Sequence, residues 1–111
     1  KMENETKDLI NNEINNNDVC LFMKGSPDAP QCGFSMAVAN ILKLLNIKFK
    51  GIDVLKSQSL REGIKVFSDW PTIPQLYIKK EFIGGCDIVK EMYESGELKK
   101  ILEEKGVEFK K

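Results

Sequence analysis

Cys32 is the residue of this chain best placed to do chemistry. It stands where a Pro-containing segment, Lys24-Gly25-Ser26-Pro27-Asp28-Ala29-Pro30, gives way to an apolar pattern of helical period. The first turn of a helix carries unpaired backbone N–H groups and a partial positive charge. A thiolate there is stabilised, its pKa falls, and it becomes a nucleophile and metal ligand near neutral pH. Lys24, ahead of the same segment, adds a positive charge. The other two cysteines differ. Cys20 lies inside an apolar run and reads as core packing. Cys86, after Gly84-Gly85, is open between lining a site, pairing with Cys32 and plain packing. The three cysteines include no C-x-x-C pair, which argues against a disulfide-stapled secreted module and for a reducing compartment. The chain has no histidine. Serine–histidine and cysteine–histidine catalysis are therefore excluded, as are imidazole ligands to zinc or to a Rieske-type cluster.

The elements that must position Cys32 follow from periodicity. Residues 3–17 are polar, with Leu9, Ile10 and Ile14 as a thin apolar stripe, and several asparagines weaken the helix expected there. Val19-Cys20-Leu21-Phe22-Met23 is a continuous apolar run, the mark of a strand buried on both faces. Residues 24–30 read as a loop. After Cys32, the residues Phe34, Val38, Ile41, Leu42 and Leu45 follow the helical period. Phe49 to Val54 reads as a strand, and Leu60, Ile64 and Phe67 mark a helix that stops before Trp70-Pro71. Gln75–Lys79 and Glu81–Ile83 read as a hairpin, followed by a helix with Ile88, Val89, Met92 and Tyr93. Gly96 breaks that helix, and a last one carries Leu98, Ile101 and Leu102. The order α-β-α-β-α-β-β-α-α predicts a parallel pair from the strand–helix–strand unit and antiparallel strands from the hairpin.

Composition narrows the function classes. The chain has 111 residues, 41% of them apolar, which suits one compact domain with a real core. Lys plus Arg and Asp plus Glu both number 17, and that balance argues against a nucleic-acid partner. No apolar run approaches the roughly 20 residues of a membrane span. The chain begins Lys1-Met2. That leaves an upstream segment open, and the expected compartment undecided between the cytoplasm and a mitochondrial or other organelle matrix.

Four motifs occur in order: Lys24-Gly25-Ser26-Pro27; Cys32-Gly33-Phe34-Ser35; Trp70-Pro71-Thr72-Ile73-Pro74-Gln75-Leu76; and Gly84-Gly85-Cys86-Asp87. Together they closely resemble the monothiol glutaredoxins, the Cys-Gly-Phe-Ser branch of the thioredoxin fold, over roughly residues 18–104. The resemblance implies an α/β thioredoxin fold: a four-stranded mixed sheet flanked by helices on both faces. The expected organisation is a single glutaredoxin domain over 1–111, with its core at about 18–104 and an N-terminal helix at about 3–17.

It also implies roles. Dithiol members carry a second cysteine where Ser35 stands, so here an outside thiol, glutathione, must resolve any mixed disulfide of Cys32. Pro74 matches the family's cis-proline, which presents the backbone of Ile73, beside Thr72, to the extended glutathione peptide. Lys24 and Arg61 match positions that meet the glycyl carboxylate. Arg61 is the sole arginine, and a guanidinium suits a carboxylate. Gly85, Cys86 and Asp87 match the end that holds the γ-glutamyl group. Asp87 is by default an N-cap, a role compatible with ligand binding.

Two functions are weighed on this basis. The first is carriage of a [2Fe–2S] cluster in iron–sulfur transfer and redox homeostasis. Four ligands are needed, and Cys32 from each of two protomers plus two glutathione thiolates supply them. The implied partners are glutathione, a second copy bridged by the cluster, a BolA-like protein and iron–sulfur recipient proteins. The second is glutathione-dependent disulfide oxidoreduction through Cys32, expected to be at most weak. The loop runs five residues from Asp28 to Cys32 after Pro27, an insertion that favours carriage over turnover. A third, blander reading is a thioredoxin-fold adaptor without chemistry, and the convergence of so many predicted site residues argues against it.

Overall fold

The computed structural model describes residues 2–111. It contains α1 (Asn4–Asn16), β1 (Val19–Met23), β2 (Gly25–Ser26), β3 (Ala29–Pro30), α2 (Gly33–Leu44), β4 (Lys50–Asp53), α3 (Gln58–Ser68), β5 (Gln75–Ile78), β6 (Glu81–Gly84), α4 (Cys86–Ser95) and α5 (Glu97–Glu104), with a 3₁₀ turn at Val54–Lys56. The main sheet runs β4-β1-β5-β6. β1 pairs in parallel with β4 and antiparallel with β5, and β5 pairs antiparallel with β6. This is the mixed four-stranded sheet that the sequence predicts, with five helices around it.

The continuous apolar run of β1 has a simple cause. The strand is central, so both of its faces are covered. Val19, Leu21 and Met23 join Leu76 and Ile78 beneath α2, α4 and α5, which contribute Val38, Leu42, Val89, Leu98 and Leu102. Cys20 and Phe22 turn the other way and meet Ile52 and Tyr77 beneath α1 and α3, which contribute Ile10, Ile14, Leu60 and Ile64. α1 is tied down by Thr6, Ile10 and Ile14; Leu9, counted in its apolar stripe, is 44% exposed instead.

Residues 24–30 are not a plain loop. They form a second, two-stranded sheet, with Gly25 opposite Pro30 and Ser26 opposite Ala29. Strands of two residues carry no readable periodicity, and for that reason the hairpin is invisible in the sequence pattern.

Register places the predicted site residues at one end of the sheet. Met23 lies opposite Asp53, so the chain leaves β1 at Lys24 and β4 at Val54 from the same end. Phe22 lies opposite Gln75, so β5 enters there, just after Pro74. Leu76 lies opposite Gly84, so β6 exits there into Gly85, Cys86 and Asp87.

Candidate functional site

Cys32 is the N-cap of α2, half-buried, with extended backbone (φ −155°, ψ 136°). No cap hydrogen bond is closed by the thiol. Its pKa is nevertheless lowered, chiefly by the Ser35 N–H. Burial opposes this, while the Phe34 N–H, the Lys24 charge and the Ser35 hydroxyl assist. These N–H groups are the orphan donors of the first helical turn, and they favour negative charge. Ser35 does more than occupy the place of a second cysteine. It is fully buried, and its Oγ accepts from the Lys24 N–H at 3.0 Å, tying the β1 exit to the helix start.

Lys24 is half-buried, and Arg61 is half-buried on α3. Arg61 is in the first turn of that helix, beyond the Ser57 cap, whose Oγ accepts from the Leu60 N–H at 3.1 Å. Among the described residues neither Lys24 nor Arg61 enters an ion pair, and neither does Asp87. Asp53, which the sequence reading passed over, braces this corner. Its Oδ1 accepts from the Gly25 N–H and the Leu55 N–H, both at 2.9 Å.

The Ile73–Pro74 bond is cis, as the motif implies. Pro74 and the Ile73 side chain are buried, whereas Thr72 is exposed. Gln75, fully buried, shapes this loop from below. Its Nε2 donates to the carbonyls of Trp70 (3.2 Å) and Thr72 (3.1 Å), and its Oε1 accepts from the Tyr77 hydroxyl. Each amide position is thus used, as burial of a polar side chain requires.

A shallow cavity of about 190 Å³ is lined by Phe34, Trp70, Thr72, Ile73, Pro74, Gly85, Cys86, Asp87 and Ile88. It brings together six of the predicted residues. Cys32, Lys24 and Arg61 do not line it; Cys32 lies close enough for its charge to raise the Cys86 pKa. Two larger hollows, of about 690 and 670 Å³, contain no cysteine in their walls. Gly85 permits a close approach here, because a Cβ would stand 3.3 Å from both the Pro74 carbonyl oxygen and Trp70 Nε1. Trp70 Nε1 is the one buried side-chain polar atom without a partner among the described residues.

Two expectations are corrected, and Cys86, left open, is found lining the cavity. Phe34 does not belong to the core face of α2; it is 63% exposed and lines the cavity, since the first turn projects past the helices and strands behind it. Asp87 is not an N-cap, because Gly85 holds that position and Asp87 lies in the first turn, exposed. Cys86, the first residue of α4, has a raised pKa, chiefly from burial, with Lys90 opposing and Asp87 and Cys32 adding to it. The sequence reading also gave Trp70, Ile88 and Gln75 no role. Trp70 and Gln75 stood inside a recognised motif, which was the only signal available. Cys20 behaves as read. Its thiol lies 3.1 Å from the Glu13 carbonyl, and burial pushes its pKa up to about 12.

Comparison with known proteins decides the family. The glutaredoxin family model matches residues 19–83. This chain belongs to the glutaredoxin family. The probable monothiol glutaredoxin 2 of Rickettsia typhi is 55% identical over 103 residues, covering 93% of each chain. A monomeric truncated mutant of Trypanosoma brucei 1-C-Grx1, solved in solution, superposes with a TM-score of 0.87 at 45% identity, covering 96% of both chains. A buckwheat glutaredoxin–glutathione complex shares the fold with a TM-score of 0.81 at 23% identity, over 97% of this chain and 99% of that one. The glutaredoxin fold and the monothiol motif at Cys32 therefore stand together in this chain.

Proposed function

We propose that this monothiol glutaredoxin binds glutathione across the Cys32 end of its sheet and carries a [2Fe–2S] cluster between two protomers. The observation that carries the reading is the Cys32 thiol, biased toward thiolate at the start of α2, beside unpaired charges and an open backbone. Among the described residues, no loop or sheet hydrogen bond uses the Ile73 main chain. It is free to pair with an extended peptide as an added strand does. Lys24 and Arg61 supply cations for a carboxylate at one end. The start of α4, with Gly85 and Cys86, supplies N–H groups for the carboxylate at the other, and Asp87 supplies a partner for its ammonium group.

The cluster is cargo, and the donor set supports a shared one. Among the described residues, no group of three or more His, Cys, Asp or Glu side chains is placed to hold a metal. One chain offers a single activated thiolate. Four thiolate ligands are reached when each of two protomers gives Cys32 and each holds one glutathione. Anaerobic reconstitution with and without glutathione, read by visible absorption, tests this. Cluster bands that require both Cys32 and glutathione are expected. A colourless wild type, or full colour after glutathione is dialysed away, would contradict the proposal.

The lowered Cys32 pKa also favours a second reading, glutathione-dependent disulfide exchange. There, the Cys32 thiolate attacks the glutathione sulfur of a mixed disulfide, releasing the other thiol, and a second glutathione attacks the resulting Cys32–glutathione disulfide, releasing oxidised glutathione and the Cys32 thiolate. Rapid turnover lost in Cys32→Ser would put this reading first.

A further inference from the structure

The β2–β3 hairpin is docked at both its base and its tip. At the base, the Lys24 N–H reaches Ser35 Oγ (3.0 Å), the Gly25 N–H reaches Asp53 Oδ1 (2.9 Å), and the Gln31 N–H reaches the Lys24 carbonyl (2.9 Å). At the tip, Lys43 Nζ donates to the Pro27 carbonyl and lies 3.9 Å from Asp28. The Pro27 ring rests on Gly51. A Cβ there would stand 2.6 Å from Pro27 Cδ and closer still to Cγ, so only glycine lets the ring down onto the strand.

The same two elements provide both sets of anchors. Ser35 and Lys43 lie at opposite ends of α2, separated by about 12 Å of helix. Asp53 and Gly51 lie on β4. The hairpin therefore bridges α2 and β4 as one short, stiff unit. Its base holds Lys24 and leads into Cys32, and its tip is anchored to Lys43 and Gly51.

We propose that Gly51 and Lys43 are positioning residues: by seating the Pro27 tip they fix where Lys24 and Cys32 stand for an incoming thiol-bearing peptide. The peptide part rests on the glutathione reading above; the effect on Cys32 does not. A tip forced off β4 pivots the base. That carries Lys24, whose N–H is held by Ser35 Oγ at 3.0 Å, out of its place beside the start of α2. If the hairpin served only to cover the β4 edge, its release would promote self-association and leave glutathione binding unchanged.

The test compares wild type, Gly51→Ala, Lys43→Met, Pro27→Ala and the double variant Pro27→Ala/Gly51→Ala. Two quantities are read: the amide hydrogen-exchange profile of Lys24, Gly25 and Gln31, whose N–H groups close the hairpin base, and glutathione affinity by titration. Gly51→Ala is expected to speed exchange at these three amides and to weaken glutathione roughly fivefold, about 1 kcal/mol. Lys43→Met is expected to act in the same direction and less. The double variant should match Pro27→Ala alone, because removing the ring atoms makes room for the new methyl group. A wild-type profile in Gly51→Ala would overturn the proposal, as would a double variant as impaired as Gly51→Ala. If Gly51→Ala does not fold, Lys43→Met decides, since it adds no volume at the strand, and an unchanged profile there overturns the proposal. A wild type that binds no glutathione refutes the preceding reading while the exchange profiles still judge this one.

Discussion

Two helices of this protein begin at a cysteine, and the two thiols are driven in opposite directions. At α2, Cys32 is itself the N-cap, and the N–H groups of Ser35 and Phe34, three and two residues on, face its sulfur. At α4, the cap is Gly85 and the cysteine comes one position later. There burial outweighs the opposing Lys90 charge, and Asp87 and Cys32 add unfavourable charge, so the Cys86 thiol is pushed up. A helix N-terminus is therefore not enough to activate a cysteine. In this chain the lowered thiol is the one at the cap position, and the raised one is set back by burial with Asp87 adding to it.

The largest expected effect separates the two thiols outright. Cys32→Ser should abolish the reconstituted cluster bands, whereas Cys86→Ser, which keeps its backbone N–H, should retain most of them. Equal loss in both variants would break the contrast. Next comes Ser35→Ala. It removes a hydroxyl that favours the Cys32 thiolate and orphans the Lys24 N–H, at a cost of about 1–3 kcal/mol for an unpaired buried donor. A lower denaturation midpoint and a few-fold slower alkylation of Cys32 at neutral pH are expected, with the Cys86 profile unmoved.

Cys20 provides a third, buried reference point. Its folded pKa of about 12 is raised, so its contribution to stability is intact below the ordinary thiol pKa of about 8.5. That contribution is lost progressively as pH climbs from there toward 12. Denaturant melts at pH 8 and pH 10 should show about 1–2 kcal/mol lost in the wild type from this source, and a shallower loss in Cys20→Ala. The smallest effect is electrostatic. Lys90→Met should raise the Cys86 pKa slightly, since Lys90 opposes its upward shift, and should leave Cys32 alkylation unchanged.

How much of this was legible in the sequence depends on what each residue's neighbours are. The central strand declared itself, because a strand covered on both faces must be apolar throughout. The Cys32 helix start was readable from the switch between a Pro-rich segment and a 3.6-residue period. Periodicity misassigned Phe34, because an apolar residue in a first turn fits the helical pattern whether or not anything lies beneath it. Asp87 was read as a cap because the rule weighs residue type, whereas extended backbone at Gly85 starts the helix one step earlier. Gln75 was opaque for the opposite reason. Its burial is justified only by two loop carbonyls and a tyrosine hydroxyl that the fold brings to it. The hairpin over β4 depends on Gly51 meeting Pro27, a contact between residues 24 positions apart that no local pattern announces.

The central claim is that Cys32 and glutathione together hold a shared cluster, and native mass measurement of the reconstituted protein tests it most directly. A species of two chains, one [2Fe–2S] unit and two glutathiones is expected, returning to single chains when the cluster is removed. A cluster on a single chain, or a two-chain species without glutathione, would contradict it.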